Sequence, residues 1–237
     1  MRYFVVDCHP HIYAEDRKKY PPVKDFVDHV EPATTQDLRR RMETNGVDRA
    51  VFIQTGTFYQ FDNRYVMDSC VEHADWATGV LLLDPDNEND LVVLERAVEC
   101  GARGLRGQPD KDGKINSAAV FRLWSKAHSL GMVVNCHVGN DHPIEEVEDI
   151  CARLPDLPIV LDHCLYLSAV STTAETLANL KRLSKLPNVH AKLTTLSAKY
   201  SAEPWPHADL HGPYKSVISY FGAERCVRCV LTNTICC

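Results

Sequence analysis

The most constraining feature of this 237-residue chain is the alternation of two kinds of hydrophobic segment. Short apolar runs of strand length recur, and between them lie longer segments whose apolar residues repeat about every 3.6 positions, as on one helix face. The predicted strands cover residues 3–6, 49–54, 78–83, 103–106, 132–137, 158–162 and 189–193. The predicted helices cover residues 35–45, 63–74, 90–100, 118–130, 144–154, 174–186 and 209–221. Strands that alternate with helices pair in parallel through right-handed crossovers, so the sequence predicts an α/β protein.

Residues that favour helix ends lie at the borders of these segments. Side chains that cap helix N-termini precede several of them, namely Thr34 or Thr35, Asn89, Ser117, and Thr172 or Thr173. Glycines stand where a left-handed residue commonly ends a helix, namely Gly46, Gly101 and Gly131. The periodicity and the end signals therefore support the same set of helices.

Two α/β architectures are compatible with this alternation, an open doubly wound sheet and a closed (β/α)8 barrel. No glycine-rich phosphate loop follows the first predicted strand, which removes the main support for a dinucleotide-binding sheet. The strand–helix units follow one another every ~25–35 residues, which suits the roughly 250 residues of a typical barrel. We therefore predict a (β/α)8 TIM barrel in one domain, residues 1–225.

Charge and composition exclude several classes of function. The chain has 26 Lys and Arg against 32 Asp and Glu, a net charge of -6, and no basic run interleaved with aromatic residues. Nucleic acid is therefore not an expected partner. No segment approaches the ~18 apolar residues of a membrane span, and the N-terminus lacks the pattern of a signal peptide. We expect a cytosolic protein, with a homo-oligomer as one option for its assembly.

Histidines mark the carboxyl ends of three predicted strands, where barrels build their active sites. In VVDCHPHIY, the period of two places Asp7, His9 and His11 on one face. The fifth strand ends at His137 and the sixth at His163. One such histidine is commonly structural, but four at one pole form a ligand set suited to a divalent transition metal such as zinc. The other histidines fall mostly in predicted helices or loops, and we interpret them as structural.

Several stretches together resemble a known family. They are VVDCHPHIY, GVDRAVFIQT, GARGLRG, GMVVNCHVG, IVLDHC, NVHAKLT and FGAER, and they span nearly the whole chain. In this order they resemble sequences of the amidohydrolase-related branch of the amidohydrolase superfamily, whose members are metal-dependent TIM-barrel hydrolases. That branch includes 2-pyrone-4,6-dicarboxylate lactonase, other lactonases, and related aromatic acid decarboxylases.

The resemblance implies roles for the four strand-end histidines. His9 and His11 match the metal pair of the first strand, and His137 matches the ligand of the fifth. His163 matches the sixth-strand histidine that binds metal or polarises the substrate carbonyl. Among these, the resemblance gives catalytic roles to His137 and His163, and the expected metal is zinc. Manganese, or catalysis without a metal, are the alternatives.

The resemblance also implies how a small carboxylated substrate is bound. Arg106, in RGLRG, matches the arginine that holds a substrate carboxylate, a role that suits the planar guanidinium fork. Thr55 and Tyr13 are candidate hydroxyl donors to the substrate. The implied reaction is hydrolysis of a lactone or ester, and a metal-dependent decarboxylase is the nearest alternative. The related decarboxylases often carry a glutamate in the first-strand motif, where this chain has Pro10 between the two histidines, and this favours the lactonases.

The last residues depart from the family pattern. In the family, a stretch like FGAER leads into an eighth strand with a GSD or GTD triplet, whose aspartate binds metal and acts as the base. Here CVRCVLTNTICC follows, and no acidic residue occurs after Glu224. We therefore expect a C-terminally incomplete barrel with an atypical eighth strand, no eighth helix, and a Cys-rich tail at 226–237. Three explanations are a truncated or alternatively spliced product, completion by a partner chain, and a divergent enzyme with another base. If the chain is truncated, we expect a catalytically inactive barrel.

Overall fold

The structure of the chain is a computed structural model that describes residues 3–23, 31–171, 173–194 and 200–228. Within these ranges the chain divides into two compact units. The first ends at Arg106, and the second comprises Gly107–Arg228. Residues 229–237, most of the predicted Cys-rich tail, lie outside the described residues. The domain boundaries drawn from the sequence stay predictions.

The first unit contains parallel strands in the order β1-β2-β3-β4, with a helix after each of the first three. The strands are β1 (Val6–Asp7), β2 (Arg49–Ile53), β3 (Ala77–Leu82) and β4 (Gly104–Gly107), whose last residue begins the second unit. The helices are α1 (Thr35–Asn45), α2 (Arg64–Glu72) and α3 (Asp90–Glu99). The strands contribute buried apolar side chains, including Phe52 of β2 and Leu81 of β3, to the core of this unit.

The second unit continues the alternation with parallel strands in the order β5-β6-β7-β8. The strands are β5 (Val133–Cys136), β6 (Ile159–Leu161), β7 (Val189–Leu193) and β8 (Cys226–Arg228). The helical segments are α4 (Ala118–Ser129), α5 (Ile144–Arg153), the single turn α6 (His163–Tyr166), α7 (Thr173–Leu183) and α8 (Ala208–Phe221). A short 3-10 turn, Ala223–Arg225, leads from α8 into β8.

The strand and helix order predicted from the sequence is confirmed. Most elements differ from their predicted bounds by one or two residues at an end, and the first strand is Val6–Asp7 instead of 3–6. The expected eighth strand is present as Cys226–Arg228 and pairs in parallel with β7. No helix in the described ranges is long and apolar enough to cross a lipid bilayer. The seven cysteines that the structure describes are all thiols.

Helices α1 and α4 begin with predicted capping side chains, whereas the predicted cap Asn89 forms no side-chain cap hydrogen bond at the start of α3. Thr34 caps α1 in a capping box, in which its side chain accepts from the Asp37 amide and the Asp37 carboxylate accepts from the Thr34 amide. Hydrogen bonds from Thr34 hold the pKa of Asp37 below its usual value. The Ser117 side chain likewise accepts from the Val120 amide at the start of α4. Gly46 ends α1 in the left-handed conformation, at φ 68°. Thr172, an alternative cap for the sixth predicted helix, lies outside the described residues.

Two strand glycines permit close packing of helices. In the first unit, a Cβ at Gly79 of β3 would lie 2.7 Å from the Cys70 Sγ and from a methyl of Val66, both on α2. In the second unit, a Cβ at Gly107 would lie 2.3 Å from the Trp124 ring of α4. Trp124 is fully buried. Both positions therefore require a residue without a side chain.

We expect Gly107→Ala to lower the free energy of unfolding by about 1–3 kcal/mol, because the added methyl overpacks a rigid core. The matched control is Gly212→Ala in α8, where a Cβ meets no atom within 4 Å. That change should raise stability by a few tenths to about 1 kcal/mol, since alanine favours helix. Urea denaturation measures both. Equal effects of the two substitutions would contradict the packing argument.

Candidate functional site

The carboxyl end of β1 carries three polar side chains in the first unit. Asp7 is 1% exposed, and its Oδ1 accepts a hydrogen bond from the His9 amide at 3.2 Å. The rings of His9 and His11 meet edge to face, with centroids 5.0 Å apart. His11 Nδ1 lies 2.8 Å from the Ile53 carbonyl oxygen at the end of β2. Because a carbonyl only accepts, Nδ1 of His11 carries the proton and Nε2 is its basic nitrogen.

The end of β2 also anchors Arg106, which comes from β4. Arg106 is 8% exposed, and its Nη1 donates to the Gln54 carbonyl at 3.1 Å. The Gln54 amide group donates in turn to the carbonyls of Gln60 and Asp62, which stiffens the loop after β2. Thr55 is 4% exposed, and among the described residues its hydroxyl has no hydrogen-bond partner. The first unit therefore brings a guanidinium, a buried hydroxyl and two imidazoles to its strand ends.

Tyr13, the second hydroxyl candidate, lies in an aromatic cluster of the first unit. It is 2% exposed, and its ring packs edge to face on Phe58 at 4.7 Å between centroids. Its backbone pairs with Ala33 in an isolated bridge. Tyr59 of the same cluster accepts from the Ala14 amide, and burial raises the pKa of Tyr59 to about 12. The ring of Tyr13 thus has a clear packing role, and its contact with substrate stays a prediction.

The second unit brings His137 and His163 together with a tyrosine and a threonine. The two imidazole centroids lie 6.1 Å apart. The Tyr166 hydroxyl forms a hydrogen bond with Nε2 of His137, and Thr194, which follows β7, forms one with Nδ1 of His163. The Thr194 carbonyl accepts from the Tyr214 hydroxyl at 3.0 Å. Both ring contacts restrict the orientation of an imidazole that the sequence marks as functional.

Turn α6 places Tyr166, and its backbone is unusual. All four residues from His163 to Tyr166 have φ between 49° and 56°, in the left-handed region, and none is glycine. For L-residues this conformation costs roughly 1–2 kcal/mol each. Buried contacts hold it, since Cys164 and Leu165 are almost fully buried and the Cys164 thiol donates to the Lys192 carbonyl. Burial also raises the pKa of the Cys164 thiol. Strain of this kind clusters at functional sites.

A buried ion pair lies beside this turn. The Lys192 ammonium is 3.0 Å from Asp162 Oδ1, and the two side chains are 1% and 0% exposed. The Asn135 amide of β5 donates to the same oxygen at 3.2 Å. Three neighbouring strand ends thus share one polar network directly below His163. Sequence reasoning overlooked this network, although a lysine inside an apolar predicted strand was a usable signal.

The metal set predicted from the sequence takes two imidazoles from each unit. Zinc sites use three or four protein ligands. Within either unit, among the residues that the structure describes, no three His, Cys, Asp or Glu side chains form a group that could hold a metal ion. The described residues of either unit, taken alone, therefore do not fit a resident metal ion. We derive no step of the reaction that involves a metal. The zinc or manganese site stays a prediction.

Comparisons with known proteins agree with this architecture. A Pseudomonas putida protein provisionally named a 2-pyrone-4,6-dicarboxylic acid hydrolase superposes with TM-score 0.81 at 19% identity, over 99% of this chain and 85% of that chain. An amidohydrolase from Burkholderia multivorans with bound zinc superposes with TM-score 0.77 at 19% identity, over 98% of this chain and 85% of that chain. A 5-carboxyvanillate decarboxylase from Sphingomonas paucimobilis superposes with TM-score 0.68 at 12% identity, over 97% of this chain and 89% of that chain. At these identities the likeness indicates a shared fold alone.

The search of curated protein sequences returns no match to this chain. A sequence profile described as Amidohydrolase matches residues 6–227, which is most of the chain. The match begins at β1, with its histidine pair, and ends within β8. The resemblance identified from the sequence is thereby confirmed, and the chain belongs to the Amidohydrolase family.

Proposed function

We propose that this chain is a hydrolase that opens the ring ester of a small carboxylated lactone, on a (β/α)8 barrel. One observation carries the proposal. His11 and Arg106 are anchored on consecutive carbonyls, Ile53 and Gln54, at the end of β2. A basic imidazole nitrogen and a buried guanidinium are therefore held by the same short piece of backbone. This pairing suits a substrate that carries both an ester and a carboxylate.

Arg106 supplies the recognition of the carboxylate. A guanidinium can bind a carboxylate through two parallel hydrogen bonds, and burial strengthens such a charge-assisted contact. Arg106 is buried to 8% exposure, and one of its nitrogens is already fixed on Gln54. The buried hydroxyl of Thr55 lies on the same loop and can donate a further hydrogen bond. Tyr13 is the second proposed hydroxyl donor.

His11 supplies the base. Its Nε2 accepts a proton from water while the water oxygen bonds to the ester carbon, and the carbonyl electron pair moves onto oxygen. The carbon–oxygen bond of the ring then breaks, and the proton passes to the departing ring oxygen. The products are a hydroxyl group and a carboxylic acid on one open chain, and the acid releases its proton to solvent at neutral pH. The sequence-based roles of His9, in binding a metal, and of His163, in binding a metal or polarising the carbonyl, belong to the same proposal.

A substrate panel tests the reaction. Pyrone, muconolactone and aldonolactone acids are incubated with three preparations of the purified chain: as prepared, after chelation, and with added zinc or manganese. The metal content of each preparation is measured. We expect ring opening of at least one lactone acid without release of carbon dioxide. The Arg106→Gln protein, prepared in parallel, controls for contaminating lactonase. Carbon dioxide release without ring opening would favour the decarboxylase, and turnover of no substrate would favour an inactive barrel.

A further inference from the structure

The sequence places both His137 and His163 at strand ends, and the structure gives their rings different partners. Nδ1 of His163 contacts Thr194, whereas Nε2 of His137 contacts the Tyr166 hydroxyl. We propose that Tyr166 is a positioning residue that holds Nε2 of His137 in a hydrogen bond and so withholds this imidazole from a metal ion. The inference goes beyond the proposed hydrolysis, because it concerns binding and needs no turnover.

Several contacts place Tyr166 in this position. Its ring centroid lies 5.6 Å from that of His137 and 5.2 Å from that of His163. On another side it packs against Tyr200, at 5.8 Å. The left-handed turn α6 directs the tyrosine back toward the end of β5, three residues after His163. The Leu167 amide, which donates to the carbonyls of His163 and Cys164, closes the turn. The tyrosine is therefore held by packing as well as by its hydroxyl.

The chemistry of the contact decides what His137 can do. A metal ion binds imidazole through a nitrogen lone pair, and a second hydrogen bond usually orients the other nitrogen. If the phenol donates, the lone pair of Nε2 is already used. If Nε2 carries the proton instead, it has no lone pair to offer. In either arrangement Nε2 is not a ligand until Tyr166 moves away. His163 differs from His137, because the Thr194 hydroxyl contacts its Nδ1 and not its Nε2.

A zinc titration of five proteins tests the inference. They are the unchanged chain, the single variants Tyr166→Phe and His137→Asn, the double variant that combines these two changes, and Tyr200→Phe as the matched control. Zinc affinity is measured by competition with a chromophoric chelator. We expect Tyr166→Phe to bind zinc about fivefold tighter, the effect of removing one competing hydrogen bond. His137→Asn alone should leave the affinity unchanged, the gain should vanish in the double variant, and Tyr200→Phe should match the unchanged chain.

Other results would overturn the inference. The inference is wrong if His137→Asn alone weakens zinc binding, or if Tyr166→Phe binds zinc no more tightly than the unchanged chain. It is also wrong if the gain in affinity persists in the double variant, or if none of the five proteins binds zinc. Circular dichroism verifies folding of each protein. If Tyr166→Phe does not fold, imidazole nitrogen spectra of the unchanged chain decide the question. His137 signals that stay in place as zinc is added support the inference, and a coordination shift there refutes it. Lactone hydrolysis, assayed separately, does not enter either result.

Discussion

Replacement of Lys192 by methionine should lower the free energy of unfolding by about 3–5 kcal/mol, the usual cost of removing one partner from a buried ion pair. The Asp162 carboxylate would remain fully buried, with its ammonium partner 3.0 Å away removed. The Asn135 side-chain amide that also contacts this carboxylate is neutral, so it contributes a hydrogen bond and no charge. Urea denaturation followed by circular dichroism measures the loss.

Two further variants separate charge burial from loss of packing. Lys111→Met breaks an ion pair with Asp112 in which both side chains are 72% exposed. Exposed pairs contribute at most about 1 kcal/mol, so this change should be nearly silent. The double change Lys192→Met with Asp162→Asn removes both charges and should recover most of the lost stability. A double variant as unstable as the single one would show that the ion pair is not the cause.

Replacement of Arg106 by glutamine should lower kcat/KM for a carboxylated lactone about 10²–10³-fold, as expected when one partner of a buried charge pair is truncated. The loss should appear mainly in KM, because the carboxylate is bound before and during the reaction. Steady-state kinetics on the best substrate of the panel gives both constants. This result rests on the proposed function.

Arg103 offers a matched control in the same chain segment. It is exposed, and its guanidinium donates to the carbonyls of Val98 and Ala102. Arg103→Gln should therefore leave kcat/KM nearly unchanged. A lactone without a carboxylate provides a second control, since Arg106→Gln should affect it little. Equal losses for both lactones would indicate that Arg106 supports the fold and does not recognise the carboxylate.

Hydrophobic periodicity was sufficient to predict the order of the elements and to place most of their ends within one or two residues. Helix α1 was predicted at its observed bounds, Thr35–Asn45, because capping threonines at 34 and 35 and a glycine at 46 mark its two ends. The first strand was misplaced because Tyr3 and Phe4 look like strand residues, yet they are 82% and 69% exposed. A short apolar run near a terminus carries no information about which of its residues pair.

The candidate site was predictable only in part. The histidines and Arg106 were recognisable because they stand at strand ends in a familiar order. The partners that orient them were not, since the contact between His11 and the Ile53 carbonyl joins residues 42 positions apart. Tyr166 gave no signal either, because periodicity describes helices and strands and has no pattern for a left-handed turn. Contacts of this kind depend on packing between strands, which one sequence does not encode locally.

The left-handed turn α6 is a case of local frustration, in which the intrinsic preference of a segment opposes its native conformation. Four consecutive residues with side chains adopt a backbone that favours glycine. Natural sequences keep few such conflicts, and those that persist depend on the rest of the fold. Glycine at these positions would relax the backbone but would remove the imidazole of His163 and the phenol of Tyr166. The chain retains these two rings although the local backbone preference opposes their conformation, so their placement depends on the integrity of the core around the turn.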